Sequence, residues 1–316
     1  EGHSKAFIVT GTNFMNDNGS LEKLTDILDK INIEYKIFTG VESNPLISTA
    51  YRGAEEMRAY EPDVIIALGG GSPVDAAKAM WIFYENPDLT FDDVKPPYSL
   101  PKLRRKAIFV AVGTTSGTGT EVTSFSVITD DETKIKYPIA DFEITPDIAI
   151  VDTDIPMSMP PTLIADSGMD SLTHSIEAYV ATAHTDLTDC LAVKSAQMVF
   201  ENLVDSYKGS ETARRTVHAG QDLAGMSFSN ALLGIVHSLA HKVGVTYGVT
   251  HGRCNAIMLP YVIEYNAAAA ADRFADIAKA LGLSGATDKQ LVNALVAAIK
   301  KLNADLGIPA SYKDAG

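Results

Sequence analysis

β-Branched apolar runs are confined to the first half of this chain, and there they alternate with segments of helical spacing. KAFIVT (5–10), EYKIF (34–38), DVIIAL (63–68) and AIFVAV (107–112) read as strands. Between them, 21–31, 47–60 and 74–84 place apolar residues at the three-to-four spacing of a helix face. Strands that are apolar on both faces and separated by helices indicate a mostly parallel sheet covered on both sides. SFSVITD (124–130), KIKYP (134–138) and DIAIVD (147–152) add further strands, with a hairpin among them. After Pro156, Pro160 and Pro161 such runs vanish. Helical patterns then follow one another over 162–183, 186–206, 211–227, 229–243, 252–266, 270–281 and 288–305. The expectation is α/β plus all-α, with an α/β domain over 1–157 and a helical domain over 158–316.

Charge narrows the partners. The net charge is −14, with no basic stripe, which argues against nucleic acid or an anionic membrane surface. It leaves an anionic cofactor open, because helix N-termini bind phosphate through backbone N–H groups. No apolar run approaches the ~18–20 residues of a membrane helix. Cys190 and Cys254 stand in separate segments, which is no disulfide framework, so a cytoplasmic location is expected.

Two loops suit phosphate and ribose. Strand DVIIAL runs into GGGSPVDAAK, where Gly69, Gly70 and Gly71 permit close backbone approach. Ser72, Pro73 and Asp75 there read as N-cap, first helical residue and the closing acid of a capping box. This is neither GxGxxG nor a Walker A loop. Strand AIFVAV runs into GTTSGTGTEVTS, rich in hydroxyls and glycine, at the strand end where parallel sheets bind ligands. Neither loop holds Lys or Arg; Lys136 is the nearest candidate cation.

The second half carries metal-ligand spacing. Asp170 and His174 are four apart in GMDSLTHSIEAY, as are His237 and His241 in VHSLAHKVGVTYGVTHGRCNA, and His251 follows a glycine-containing turn. Four of the seven histidines fall in these segments. A carboxylate with imidazoles suits Fe(II), Zn(II), Co(II) or Ni(II) rather than Ca or Mg. Such an ion polarises an alcohol or carbonyl oxygen. Spacing does not separate His241 from His237 as a ligand.

With these pieces in place, the chain resembles the iron-containing (group III) alcohol dehydrogenases. The matching stretches are IIALGGGSPVDAAKAMW, TTSGTGTEVTSFSVITDDETKIKYPIAD, TPDIAIVD, GMDSLTHSIEAYV and HSLAHKVGVTYGVTHGRCNAIMLPYVIEYN, in collinear order. Some wording is similar to the alcohol dehydrogenase half of bifunctional aldehyde–alcohol dehydrogenases, and to butanol and propanediol dehydrogenases. The resemblance implies a Rossmann-like dinucleotide-binding domain and a helical metal-binding domain, in the architecture shared with dehydroquinate synthases, with the active site in the cleft between them.

It further implies hydride transfer between NAD(H) or NADP(H) and a small primary alcohol or aldehyde, with Fe(II), or Zn(II), held by Asp170, His174, His237 and His251. His241 matches a histidine near the metal and nicotinamide that is not a ligand, and becomes the catalytic candidate. Cofactor contacts carried over are Gly70, Gly71 and Ser72, with Asp75 close by, then Thr114, Thr115, Thr118, Phe125 and Lys136. A homodimer or higher homo-oligomer is expected.

Two other enzyme classes fit the residues less well. Lyases of the dehydroquinate synthase type need a Lys/Arg cluster, whereas the metal segments offer only Lys242 and Arg253. Glycerol-type zinc polyol dehydrogenases lack the full Asp–His–His–His set. A filament-forming module of a bifunctional enzyme is the non-catalytic alternative.

The chain departs from the family pattern at Gly11, where many NAD-using members carry Asp; Gly11, Thr12 and Asn13 then face the adenosine ribose. Losing that carboxylate removes repulsion of a 2′-phosphate, so NADPH is expected to be accepted and preferred. The chain also opens just before the first strand and stops at Gly316, short of the family's final helices.

Overall fold

The structure, a computed structural model, describes residues 2–11 and 19–315. They form two compact units. One comprises residues up to 114 together with 120–155; the other comprises 115–119 and 156–316.

The first unit is a five-stranded parallel sheet in the order β2-β1-β3-β4-β7. Its strands are β1 (Lys5–Gly11), β2 (Glu34–Val41), β3 (Val64–Gly69), β4 (Ile108–Gly113) and β7 (Ile148–Ile150). A two-stranded antiparallel ribbon pairs β5 (Phe125–Thr129) with β6 (Lys136–Ala140). The period of two sends Phe7, Val9, Ile65 and Ala67 to one face and Ala6, Ile8, Val64 and Ile66 to the other. Helix α1 (Ser20–Lys30) covers the second face with Leu21 and Leu28. Helices α2 (Ile47–Tyr60) and α3 (Gly71–Glu85) cover the first, and α4 (Phe91–Val94) is a single turn. Nearly all of α3 from Val74 onward is buried, because the sheet lies on one side of it and the β5–β6 ribbon on another.

The second unit is helical throughout. It contains α5 (Pro161–Val180), α6 (Asp186–Tyr207), α7 (Glu211–Ala231), α8 (Ile235–Tyr247), α9 (His251–Ala280), α10 (Asp288–Asp305) and α11 (Tyr312–Ala315). Helix α5 lies against α6, α7 and α9 and is buried almost all round from Ile164 to Tyr179. The two helices expected over 252–266 and 270–281 together make up α9, and the non-helical backbone of Ala270 (φ −139°, ψ 36°) puts a kink between them at the expected boundary. Among the described residues no single helix is long and apolar enough to cross a membrane.

Candidate functional site

In the first unit the candidate loops share the C-terminal ends of three adjacent parallel strands: Gly11 ends β1, Gly69 ends β3 and Gly113 ends β4. Gly69 is required by its turn, since a β-carbon there would come within 2.5 Å of the Pro73 ring. Helix α3 begins at Gly71 with Gly70 as its N-cap, so the N–H groups of its first turn have no intrahelical acceptor. Thr114 continues the β3–β4 pairing by donating its N–H to Gly69 O at 3.0 Å. Thr12 and Asn13 lie outside the described residues.

The capping box is not formed. No side chain caps α3, and Ser72 lies inside the helix. The Asp75 carboxylate turns the other way. It accepts from the Thr120 hydroxyl at 2.8 Å and from Val127 N–H at 3.1 Å. Asp75 therefore holds the hydroxyl-rich loop and the ribbon, a longer-range pairing that a local spacing rule does not reveal.

Lys78, one turn further on, was not anticipated. It is fully buried, and its ammonium donates to the carbonyls of Thr120 at 2.7 Å, Thr123 at 2.7 Å and Phe125 at 2.9 Å. Three carbonyls satisfy three N–H bonds, which is how a buried ammonium is tolerated. Burial pushes Lys78 down to about 8, with Asp75 and Glu121 pulling the other way. Burial likewise pushes Asp75 up to about 6, against Lys78 and Thr120. The loop carrying Phe125 is thus fastened from beneath by α3. Phe125 and Lys136 open β5 and β6, and both are half-buried.

The middle of the same loop, 115–119, belongs to the helical unit. Gly119 N–H donates to Gln221 Oε1 at 2.6 Å, and Ser116 Oγ lies 3.1 Å from His218 Nδ1. Thr115 and Thr118 stay half-exposed between these anchors.

In the helical unit Asp170, His174 and His237 bring one ligand atom each to within 4.8 Å of one another, a group that could hold a metal ion, and His251 comes up beside Asp170. Asp170 Oδ1 lies 3.8 Å from His174 Nε2, 3.6 Å from His237 Nε2 and 3.6 Å from His251 Nε2. The separations of Asp170 from His174 and His237 suit ligands of one ion with bonds of about 2.2 Å, the range of metal–imidazole and metal–carboxylate bonds. Asp170, His174 and His237 are buried, whereas the His251 side chain is 29% exposed. Each of two imidazoles is turned by a partner at its far nitrogen. His174 Nδ1 lies 3.2 Å from Gly117 O, and His237 Nδ1 lies 2.6 Å from Glu177 Oε2. An Nδ1–H donated outward leaves the Nε2 lone pair facing inward, the usual outer bracing of a metal-binding histidine.

Three details of the chain make this convergence possible. Glu177 also accepts from Val236 N–H at 2.8 Å, tying α5 to the first turn of α8. Asp166, one turn before Asp170, accepts from the Thr250 hydroxyl at 2.6 Å and from Arg253 Nε at 3.1 Å. Gly252 lets α9 approach, since a β-carbon there would fall 2.1 Å from Asp166 O. His251 is carried to Asp170 by that approach. His241 is not in the inner group. Its ring centroid is 6.4 Å from that of His237 and 5.0 Å from that of His251, and it is half-exposed.

The electrostatics follow from crowding. Burial alone would raise Asp170, but the surrounding imidazoles hold it well below the usual carboxylate range. Burial pushes His174 down to about 4 despite Asp170. His237 goes the other way: burial is outweighed by hydrogen bonds to Asp170 and Glu177, which hold it up at about 9. A site that concentrates lone pairs and negative charge in this way suits a divalent cation.

Comparison with known proteins gives the family. Residues 1–153 match the iron-containing alcohol dehydrogenase family, and residues 164–316 match the C-terminal part of the Fe-containing alcohol dehydrogenase family. Over 312 residues the chain is 53% identical to the NADPH-dependent butanol dehydrogenase of Clostridium saccharobutylicum, covering 99% of this chain and 80% of that protein. The chain belongs to the iron-containing alcohol dehydrogenase family.

This iron-containing alcohol dehydrogenase is 42% identical over 344 residues to the bifunctional aldehyde-alcohol dehydrogenase of Escherichia coli K12. That match takes in 100% of this chain but spans only 38% of the larger protein. Its fold matches a solved 1,3-propanediol oxidoreductase with a TM-score of 0.94 at 36% identity, covering 99% of this chain and 82% of that one. It matches the alcohol dehydrogenase from Oenococcus oeni with a TM-score of 0.95 at 33% identity, covering 100% and 83%. Membership makes the chain an NAD(P)-dependent oxidoreductase of small alcohols and aldehydes that uses a divalent metal.

Sequence reasoning missed Glu177, Lys78 and Asn255. Glu177 was legible in principle, because 170, 174 and 177 lie on one helix face. Asn255 stands one turn beyond His251 in the same way. Lys78 gave no sign, since a lysine on a helix is ordinarily solvated.

Proposed function

We propose that this dehydrogenase holds its ion through Asp170, His174, His237 and His251, reduces short aldehydes with NADPH in preference to NADH, and uses His241 as a proton carrier. The observation that carries the reading is the buried cluster of Asp170, His174 and His237, both imidazoles braced by Glu177 and Gly117, with His251 3.6 Å from Asp170.

When bound, the ion polarises the substrate oxygen and stabilises alkoxide character. The protein supplies the rest. Glu177 and Gly117 fix the two buried imidazoles, and Asp166 fixes the turn that presents His251. His241 is close to His251 and half-exposed, so it can pass the hydroxyl proton towards solvent. The open first turn of α3, at Gly70, Gly71 and Ser72, is a seat for the cofactor pyrophosphate. Thr114, Thr115, Thr118, Phe125 and Lys136 would complete the cofactor contacts, and Lys78 and Asp75 hold the loop that presents several of them.

The cofactor preference rests on Gly11, which offers no carboxylate to grip a ribose 2′-hydroxyl or repel a 2′-phosphate. The relative at 53% identity is itself described as NADPH-dependent. In the cell the metal would be iron, exchangeable with Zn(II), since open Asp/His sites follow availability as well as affinity.

Metal analysis combined with NADH and NADPH turnover on a panel of short aldehydes tests the whole. One divalent ion per chain, anaerobic reactivation by Fe(II) and a higher kcat/KM with NADPH are expected. A protein without stoichiometric metal overturns the ligand assignment. One most active with Zn(II) overturns the iron assignment, and a tenfold preference for NADH overturns the cofactor assignment.

A further inference from the structure

Asn255 lies on α9, one turn beyond His251, and is fully buried. Its carboxamide nitrogen is 2.6 Å from Asp170 Oδ1, 3.0 Å from His237 Nε2 and 3.2 Å from His251 Nε2. Near-equal distances to three atoms place it over the triangular face that they span. The carboxamide oxygen is buried with no hydrogen-bond partner.

This orientation suits the metal-free site, where Nδ2–H donates to the Asp170 carboxylate. It does not suit a loaded one. An ion competes for the Asp170 oxygen that accepts this bond and repels an N–H dipole pointed at it. The amide N–H would then lose its acceptor while the oxygen stayed orphaned, and a buried unsatisfied polar atom is costly. Rotating the amide plane by half a turn exchanges its two ends. The oxygen then faces the cation, with the favourable end of the dipole towards the charge.

We propose that Asn255 is a metal-facing residue of this site, its carboxamide oxygen directed at the ion when the site is loaded. The proposal rests on the metal-binding reading above. It makes Asn255 a positioning residue that closes one face of the site, so that a substrate oxygen enters by another.

Two variants separate this role from a simple N–H bond to Asp170. Asn255→Leu removes both ends of the amide at similar size. Asn255→Asp keeps an oxygen and removes the N–H. The measurements are the dissociation constant of Co(II), by chelator competition on metal-free protein, and the visible spectrum of the Co(II) form. Neither requires turnover.

Asn255→Leu should weaken Co(II) binding at least tenfold and change the band shape. Asn255→Asp should bind within threefold of wild type or more tightly, with a wild-type band shape. Loss of affinity in both variants alike would show that the N–H is what matters, and would overturn the proposal. So would a Leu variant that matches wild type in affinity and spectrum. If Asn255→Leu fails to fold, by the melting curve of the metal-free protein, Asn255→Asp decides alone. A wild-type protein that binds no Co(II) counts against the metal-site reading itself. Wild-type binding with indifferent variants counts only against Asn255.

Discussion

The two units prepare for chemistry by opposite means. The α/β unit offers mostly backbone: glycines at three strand ends, an open first turn of α3, and a loop fastened by Lys78. The helical unit offers side chains that project from the middle of α5 and from the first turns of α8 and α9. Phosphates are large and spread their charge over several oxygens, so a row of N–H groups serves them. A metal ion needs a few lone pairs fixed to within a few tenths of an ångström, and packed helices give that rigidity. The difference teaches where each half is vulnerable. The first should fail by loosening a loop, and the second by losing a single atom.

The sharpest break is expected in the helical unit. His237→Ala should remove most of the metal and lower kcat/KM by on the order of a thousandfold or more, about 4 kcal/mol of transition-state stabilisation. Full occupancy by elemental analysis in that variant would show that His237 is not a ligand.

In the α/β unit the counterpart is Lys78→Met. It leaves the carbonyls of Thr120, Thr123 and Phe125 without their buried donor. Stability should fall by about 3 kcal/mol, and cofactor binding should weaken while the metal content stays whole. Denaturant unfolding and cofactor titration would report both. If metal is lost together with cofactor affinity, the contrast between the units is wrong.

Proton linkage sharpens the contrast. His237 is held at about 9 between Asp170 and Glu177, above the ordinary imidazole value of 6.5. A raised folded value stabilises the metal-free protein fully below pH 6.5, and that stabilisation is lost as pH rises through 9. Metal binding must expel the same proton. Affinity should therefore climb by up to tenfold per pH unit between 6.5 and 9 and then level off. Isothermal titration in buffers of different ionisation enthalpy would count the released proton, and a flat affinity over this window would show that His237 is already neutral.

Smaller effects probe the margins. His241→Ala should keep the metal and lose about tenfold in turnover, about 1.4 kcal/mol, with an altered pH–rate profile. Unchanged turnover and profile would reduce His241 to packing. Gly11→Asp should shift the NADH/NADPH ratio of kcat/KM towards NADH by about 1 kcal/mol through repulsion of the 2′-phosphate. The fold should tolerate it, since an added β-carbon meets Pro73 at 3.4 Å and Val41 O at 3.7 Å, ordinary contacts. No change in the ratio would show that position 11 does not set the choice.

Most of the secondary structure was legible because hydrophobic period and burial agree. DVIIAL reads as a strand buried on both faces, and β3 is buried at every residue. The reading failed where a local rule met a distant partner. Ser72 and Asp75 look like a capping box, yet Asp75 is claimed by Thr120 and Val127, 45 and 52 residues away. The hydroxyl-rich loop reads as one segment, but its middle is held by Gln221 and His218 in the helical unit. His241 and His237 are equivalent by spacing. They are told apart by Glu177, which grips the far nitrogen of His237.

What the sequence determined by itself is what short-range physics encodes. It includes the change from β-branched alternation to helical spacing near Pro160, the glycine turn after β3, and the placing of Asp170 with His174 on one helix face. These depend on dihedral preference and on periodicity, which a few neighbouring residues settle. Only the tertiary structure decided which lone pairs meet. That Asp170 reaches His237 and His251, that Lys78 lies beneath the loop and that Asn255 faces the ligand set all follow from helix packing. Packing is cooperative: Gly252 lets α9 approach Asp166 where both helices bury their apolar faces in one core. No spacing rule along the chain contains that condition.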